Sequence, residues 1–386
     1  MIAPYWPLAG ALLVAPLAVV LQNRALAPIA LLGLAGTVGL ALARGWRPSR
    51  PPALALPLGA LLLWMAVAAF WAPSLGRGLD ATWRLAATAL LGLLAADALR
   101  HENPRPLGRA TAIGVMIGLA AAALDHLTGN ALRAGVRGMA EAPASLAFGL
   151  KNAAAILALF LPLAVMAARP AIGWAIGAAG AAVVLLLPGE SAKLAALAGL
   201  GATALAGWRP RLTARLLGYG IAALILAGPW AMRAGLAPGL PAGHWPESAA
   251  HRLIVWDFAA TRMAERPAAG FGMDSSRAIP GGTSTPDAAT LTRFGIPETS
   301  WISRAQLLPL HPHNIALQVW LELGAIGALL LATLVLALAR AAETNPAGSG
   351  ALAAGTVIAM LSYGAWQYWW VAGLTLAALV AARGGR

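Results

Sequence analysis

Long apolar runs separated by short polar breaks dominate this sequence. Runs of about 20 residues, rich in Leu, Ala and Gly, alternate with breaks rich in Arg, Pro and Gly. A helical run of this length matches the thickness of a bilayer, and a helix satisfies its own backbone polar groups. The pattern predicts an all-α, polytopic membrane protein of about 12 transmembrane helices, near residues 5–22, 25–43, 53–71, 81–99, 108–124, 146–167, 171–188, 190–207, 214–231, 313–339, 350–363 and 365–382.

One long polar segment interrupts this pattern. It divides the chain into a transmembrane region of about nine helices at 1–231, a large loop at 232–312, and a transmembrane region of two to three helices at 313–386. The last two spans could be one long tilted helix. We favour two, broken at 362–364, because the aromatic residues that follow suit a membrane interface. The first run has neither a basic region before it nor a small-residue cleavage site, which predicts a retained span.

Arginines are distributed unevenly between alternate connections. One side holds Arg44, Arg47, Arg50, Arg100, Arg105, Arg109, Arg169, Arg209, Arg211, Arg215, Arg340, Arg383 and Arg386. The short loops of the other side hold only Arg24, Arg77, Arg133 and Arg137. The positive-inside rule therefore predicts cytoplasmic termini and an external segment 232–312. The same rule explains the net charge of +13, so we favour topology and anionic lipid over nucleic-acid binding.

The composition narrows the possible chemistry. The mean hydropathy is +0.73, and only 11% of residues are charged. The sequence has no cysteine, which excludes a disulfide framework, a thiolate zinc site and a cysteine nucleophile. No metal site is predicted.

Three basic residues lie inside apolar runs, namely Arg84, Lys151 and Lys193. A basic side chain at the centre of a span costs roughly 2.5–3.5 kcal/mol on insertion scales. In the predicted topology these residues and His313 lie within the first two turns of spans that begin outside, roughly 8 Å or less below the interface. Helix N-termini favour anions, so the set predicts an external anion site. Taken singly, each basic side chain is also explained by snorkelling toward water.

The polar segment contains one amphipathic helix, predicted at 248–266. Arg252 and Trp256 share one stripe of this helix, Ser248 is the predicted N-cap, and Pro267 ends the helix. Arg252 is either a solvated charge on an interfacial helix or a guanidinium that binds phosphate with its planar donor fork.

The sequence His311-Pro312-His313-Asn314 ends the polar segment, and three interpretations compete for its histidines. A zinc site is weakly supported, because Glu322 or a distant group would have to supply a third ligand. A structural cap of the following helix is a second interpretation. In the third, an imidazole is the general base for an attacking hydroxyl. Asn314 would then orient the ring or bind a sugar hydroxyl.

Two blocks of polar and small residues carry a family resemblance. The first is His311-Pro312-His313-Asn314-Ile315-Ala316-Leu317-Gln318 with Glu322-Leu323-Gly324-Ala325-Ile326-Gly327. The second has the pattern R-x3-W…P-x2-G-x-G, formed by Arg252, Trp256, Pro267, Gly270 and Gly272. Together they resemble the signature of the O-antigen ligase and polymerase superfamily. Two elements of middle spans resemble it as well: Asn152-Ala153, and Glu190-Ser191-Ala192-Lys193 with Lys193 where arginine is usual.

The resemblance implies a GT-C-like fold with one large periplasmic loop, in the bacterial inner membrane. It also implies a metal-independent, inverting glycosyltransferase without a cofactor, whose donor is a glycan on undecaprenyl diphosphate. By this resemblance His313 is the general base, Arg252 binds the diphosphate and Lys193 assists. Further substrate contacts are expected from their positions, at Arg84, Lys151, His311 and Asn314.

Several functions fit these motifs. Ligation of O-antigen to lipid A–core is the leading one, while polymerisation of repeat units and protein O-oligosaccharide transfer are alternatives in the same superfamily. From another class, a transporter or flippase for a lipid-linked anionic solute would also explain the buried cations. Transporters, however, usually show inverted repeats and midplane charges. The expected partners are the lipid-linked donor, lipid A–core or another glycan acceptor, and membrane lipids, with no nucleic acid.

Overall fold

The computed structural model describes residues 3–49 and 51–384, and within these ranges it consists of helices without a β-strand. The α-helices are α1 (Trp6–Leu21), α2 (Leu26–Ala43), α3 (Ala55–Ala68), α4 (Leu75–Ala98), α5 (Arg105–Leu127), α6 (Ala131–Val136), α7 (Leu150–Met166), α8 (Pro170–Leu186), α9 (Glu190–Trp208), α10 (Pro210–Leu236), α11 (Glu247–Met263), α12 (Ala288–Arg293), α13 (Ile315–Ala341), α14 (Pro346–Leu361) and α15 (Tyr368–Gly384). Short 3-10 helices lie at Asn23–Ala25, Ala69–Trp71, Ala144–Gly149, Ser275–Ala278 and Trp301–Arg304. The predicted all-α class is confirmed. Arg50 and Arg386 lie outside the described residues.

Each predicted apolar segment corresponds to one of these helices. Among the described residues, six segments are long and apolar enough to cross a membrane: Asn23–Ala43, Leu75–Ala98, Arg105–Leu127, Ala144–Met166, Pro210–Leu236 and Ile315–Ala341. Shorter apolar helices lie at Trp6–Leu21, Ala55–Trp71, Pro170–Leu186, Pro346–Leu361 and Tyr368–Arg383. The total of twelve spans stays a prediction. The turn at 362–367 confirms that the last apolar stretch forms two helices.

Among the helix starts that differ from the predicted ones, two affect candidate site residues. The α4 helix begins at Leu75, after an N-cap in which Ser74 Oγ accepts a hydrogen bond from the Arg77 N–H at 3.4 Å. We predicted this start near residue 81, because the charges in the first turns hide the helix from a hydropathy reading. The α11 helix begins at Glu247 after Pro246, so Ser248 lies inside the first turn and is not the N-cap.

Close helix packing forms the transmembrane core. Almost every residue of α7 is buried, between α1, α5, α8, α9, α14 and α15. Glycines allow the surrounding helices to approach at backbone distance. A Cβ on Gly114 would lie 2.4 Å from the Leu12 carbonyl oxygen, and one on Gly350 would lie 2.7 Å from the Gly199 carbonyl oxygen. Small residues serve this purpose in membrane helix interfaces generally, where dispersion and close contact replace the hydrophobic effect.

The α13 helix is broken at Gly324, whose φ of 65° and ψ of −162° are not helical. A break in an apolar helix leaves backbone groups that need other partners. The loop 267–272 supplies them. Two of its N–H groups donate to the carbonyls of Leu321 and Glu322 at 2.9 Å, and its Pro267 carbonyl accepts from the N–H that follows Gly324 at 2.8 Å. The polar segment 232–312 is therefore anchored among the apolar helices.

Glycine is required on both sides of this contact. A Cβ on Gly270, at φ 68°, would lie 2.4 Å from the carbonyl carbon of Glu322, and one on Gly324 would lie 2.3 Å from the Ala268 oxygen. The indole N–H of Trp64 also donates to the Leu323 carbonyl at 2.9 Å. The two motif blocks found in the sequence are thus the two halves of one packing contact.

Arg133, at the end of the α5–α6 hairpin, is fully buried and is expected to be essential for stability. Its guanidinium donates to Asp125 Oδ2 at 2.6 Å, to Asn130 Oδ1 at 2.6 Å and to the Leu146 carbonyl at 2.7 Å. Arg133→Ala leaves Asp125 buried without its partner, which typically costs about 3–5 kcal/mol. We expect a large drop in melting temperature in detergent, whereas Arg137→Ala, at an exposed neighbour, should change it little. Equal melting of the two variants would contradict this assignment.

Candidate functional site

The His311–Asn314 sequence forms a tight turn immediately before α13. Asn314 is the N-cap, and its Oδ1 accepts the Leu317 N–H at 3.0 Å. His313 adopts a left-handed conformation, with φ 54°. Pro312 therefore precedes the helix and lies outside its first turn. The geometry gives the Asn314 side chain a capping role, and its predicted contact with a sugar stays untested.

The orientation of the His313 ring is set by the turn between α14 and α15, residues 362–367, which we call the 362–367 turn. His313 Nδ1 lies 2.5 Å from the Ser362 carbonyl oxygen. A carbonyl can only accept, so Nδ1 carries the proton and the neutral ring has its lone pair on Nε2. This tautomer is the one that can accept a proton at the far nitrogen.

His311 contacts His313 through both its ring and its Nδ1 atom. The two ring centroids are 4.3 Å apart, and His311 Nδ1 accepts the His313 backbone N–H at 3.2 Å. On its other side, His311 Nε2 lies 3.2 Å from the side-chain amide nitrogen of Gln367. Burial, followed by the charges of His313 and Arg277, lowers the pKa of His311 to about 3. His311 is therefore neutral, and its contacts give it a structural role in the position of His313.

Arg252 lies on α11 and faces the 362–367 turn. Its half-buried guanidinium makes no hydrogen bond or ion pair with the residues that the structure describes, while its charge acts on both Tyr363 and His313. The indole N–H of Trp256, one turn further along α11, donates to the Pro312 carbonyl at 2.7 Å. Trp256 therefore holds α11 against the turn His311–Asn314, which we call the histidine turn. Arg252, the other residue of the R-x3-W pattern, places a positive charge near His313.

Burial is the largest influence on the pKa of His313, and it lowers that pKa. The charges of Arg252 and His251 lower it further, while the hydrogen bond to Ser362 opposes the shift. Burial also raises the pKa of the Tyr363 phenol. At neutral pH the imidazole is therefore uncharged and available as a base, with a fixed positive charge next to it.

The starts of α7 and α9 reach this turn from another side. Tyr363 Oη donates to the Lys151 carbonyl at 3.1 Å, and the hydroxyls of Ser191 and Ser362 form a hydrogen bond. The ammonium group of Lys151 lies over the Phe148 ring, and that of Lys193 pairs with Glu190 at 2.9 Å. The structure thus brings the Lys151 backbone and the Ser191 side chain to the site, while the ammonium groups of Lys151 and Lys193 contact local partners.

Arg84 departs from the predicted arrangement. Because α4 begins at Leu75, Arg84 lies in the third turn, about 13 Å along the helix axis, and not in the first two turns. Its guanidinium pairs with Asp80 at 2.8 Å and lies over the Tyr368 ring, 5.4 Å from the centroid. The predicted position of Arg84 within the first two turns of its helix is therefore wrong, because the helix starts earlier than its hydropathy indicates. Its depth relative to the other cations stays a prediction.

The sequence did not predict the buried polar groups around Glu322. Glu322 is fully buried at the break in α13, next to Gln318, Ser276 and Trp366. The only signal in the sequence was its position in the motif. Among the described residues, no group of three His, Asp or Glu side chains is placed to hold a metal ion.

A groove of about 680 Å³ lies on the opposite face of α11. It is lined on α11 by Ile254, Asp257, Phe258 and Thr261, whereas Arg252 and Trp256 point the other way toward the histidines. The helix therefore separates this groove from the candidate site.

No family model matches the chain. A Rickettsia conorii protein named "Putative polysaccharide ligase" is 37% identical over 130 residues, which is 32% of this chain and 29% of that protein. Proteins with the same name from Rickettsia prowazekii and Rickettsia bellii are 35% identical over 130 residues and 36% identical over 133. The chain spans 29% of the length of the curated relatives it matches. These relatives, together with the motif blocks that meet at the break in α13, support an O-antigen ligase-like family for this chain.

Proposed function

We propose that this protein transfers a glycan from an undecaprenyl diphosphate lipid to a hydroxyl acceptor, and that the acceptor is lipid A–core. One observation carries the proposal: α11 packs against the histidine turn and brings the half-buried guanidinium of Arg252 near His313, and among the described residues neither that guanidinium nor His313 Nε2 has a hydrogen-bond partner. The relatives named as polysaccharide ligases support a membrane glycan ligase or transferase.

The proposed chemistry needs one base and one cation. His313 Nε2 removes the proton of the acceptor hydroxyl as its oxygen attacks the anomeric carbon of the donor sugar. The new glycosidic C–O bond forms while the bond to the diphosphate breaks, and undecaprenyl diphosphate leaves with the electron pair. Arg252 stabilises the negative charge that grows on the diphosphate. Attack opposite the leaving group inverts the anomeric configuration.

The remaining cations have subordinate roles in this proposal. Lys193 and Lys151 begin helices that reach the 362–367 turn, and release of Lys193 from Glu190 would place an ammonium on the diphosphate. Arg84 is already paired with Asp80, so a part in diphosphate binding would require that exposed ion pair to open.

We propose a topology of about twelve spans, GT-C-like, with both termini in the cytoplasm and the loop 232–312 in the periplasm of a bacterial inner membrane. Four chain segments that meet at the site support it. The turn that ends α14 is contacted by the starts of α7, α9 and α13, and all four of these helix ends fall on the external side when the spans alternate.

Purified protein in proteoliposomes is expected to form a covalent product from a defined undecaprenyl diphosphate glycan and lipid A–core. Gel mobility and mass spectrometry of the acceptor would detect the added glycan, and NMR would show an inverted anomeric centre. The reaction should proceed in EDTA, because Arg252 supplies the positive charge.

Each acceptor gives a separate outcome. Glycan added only to a second lipid-linked glycan, or only to a protein hydroxyl, would replace lipid A–core by the polymerase or protein-glycosylation reaction. Movement of the lipid-linked donor across the bilayer without any covalent product would overturn the proposal in favour of transport.

A further inference from the structure

Glu322 occupies a site built for a carboxylate. The residue is fully buried at the break in α13. Its Oε1 accepts from Ser276 Oγ at 2.5 Å and from Gln318 Nε2 at 3.0 Å. Its Oε2 accepts from the Asp274 N–H at 2.7 Å and from the Trp366 indole N–H at 2.6 Å. Four donors thus converge on two acceptor oxygens, and an amide in place of the carboxylate would turn an NH₂ group toward one pair of them.

These hydrogen bonds hold the 362–367 turn at two points. Trp366 is bonded to Glu322 directly, and Gln318, which is bonded to Glu322, accepts the Ala365 N–H on its Oε1 at 2.8 Å. The turn begins at Ser362, whose carbonyl accepts from His313 Nδ1. The backbone of the turn therefore connects the hydrogen bonds of the buried carboxylate with the hydrogen bond that holds the imidazole.

The same turn also packs against the second histidine. A Cβ on Gly364 would lie 2.8 Å from the His311 ring carbon Cδ2, so the turn touches that ring through backbone atoms. A displaced turn would therefore disturb both histidines at once. Buried hydrogen-bond networks of this kind fix geometry only when every member is satisfied.

We infer that Glu322 is a positioning residue, which fixes the 362–367 turn so that the Ser362 carbonyl holds His313 in the Nδ1–H tautomer. The inference rests on the proposed function, since it matters for transfer only if His313 is the base. The tautomer itself can be measured without any transfer reaction, so the two can fail separately.

The test compares three variants in the full-length protein. Glu322→Gln removes the carboxylate, and Trp366→Phe removes only one donor, the one on the turn. Trp64→Phe is the matched control, because it deletes an indole N–H bonded to the Leu323 carbonyl at the same break, away from the turn. Ring ¹⁵N NMR of histidine-labelled protein, with His313→Ala for assignment, reports the tautomer.

We expect the unsubstituted protein and Trp64→Phe to show only the Nδ1–H tautomer of His313, and Trp366→Phe and Glu322→Gln to show a mixture. In transfer assays Trp366→Phe should lower kcat between about 10-fold and 100-fold, with the donor KM changed less than about twofold. A single Nδ1–H tautomer in Trp366→Phe, or equal kcat losses in the two tryptophan variants, would overturn the inference. If tautomers mix as expected but the unsubstituted protein transfers nothing, only the proposed function fails.

Discussion

Replacing His313 by alanine is expected to lower kcat of glycan transfer by about 10²–10⁴-fold, the usual contribution of a general base. The loss follows from the free Nε2, because the variant has no group to take the proton of the acceptor hydroxyl. The protein should still accumulate in the membrane, since Asn314 caps α13 and does not need the imidazole. The measurement is product formation in proteoliposomes, with the amount of protein matched by immunoblot.

The matched control is His244→Ala, at an exposed histidine of the polar segment 232–312 that precedes His313. It should transfer at the rate of the unsubstituted protein. Full activity of His313→Ala in the same assay would show that the proton leaves by another route. Loss of both variants from the membrane would instead show that this part of the chain does not tolerate the change, and His313→Asn would then replace the alanine variant.

The pH profile gives an independent check on the same residue. Burial, Arg252 and His251 hold the pKa of His313 below its usual value of 6.5. The neutral imidazole is the active form, and it predominates above its pKa. As the pH falls, activity should therefore drop to half its maximum only below pH 6.5, the usual pKa of histidine. An acid limb centred at or above pH 6.5 would contradict the assignment of His313 as a buried base.

Much of the helical architecture could be predicted from the sequence, because each span is a long apolar run between polar breaks. The exceptions are physically informative. The α4 helix continues through Arg77 and Asp80, where its outer face is charged and hydropathy no longer marks a helix. The N-cap of α11 was misplaced by two residues, because Pro246 and not Ser248 precedes its first residue.

The candidate site could be predicted only in part. His313 and Arg252 are rare polar groups at recognisable positions, so local patterns were enough to select them. The 362–367 turn was treated as a helix break, since nothing local to Ser362 indicates that its carbonyl meets a histidine 49 residues earlier. Glu322 could be recognised from the sequence only as a position in a motif, because its four hydrogen-bond donors come from separate parts of the chain. Such long-range contacts depend on how the helices pack, which apolar periodicity does not specify.

Arg252→Ala is expected to lower kcat/KM by about 10²–10³-fold, comparable to the loss of one preorganised donor to a developing oxyanion. Arg252→Lys should recover part of this loss, because an ammonium keeps the charge but lacks the bidentate fork. Transfer assays over a range of donor concentrations would measure both. The free energy of unfolding should stay within about 0.5 kcal/mol of the original value, because the described residues include no hydrogen-bond partner that the substitution would strand.

Arg293 supplies the contrast that makes this prediction specific. Its guanidinium forms an ion pair with Asp257 on the same helix α11 and donates to the carbonyls of Leu236 and Ala237, at 3.2 and 3.1 Å. Arg293→Ala breaks these contacts, so it should lower the melting temperature. The two variants thus distinguish a charge that binds a ligand, at Arg252, from a charge that stabilises the fold, at Arg293. If Arg252→Ala were instead the destabilised variant and retained its kcat/KM once folded, Arg252 would have a structural role. The proposed site would then have a base, His313, but no assigned cation.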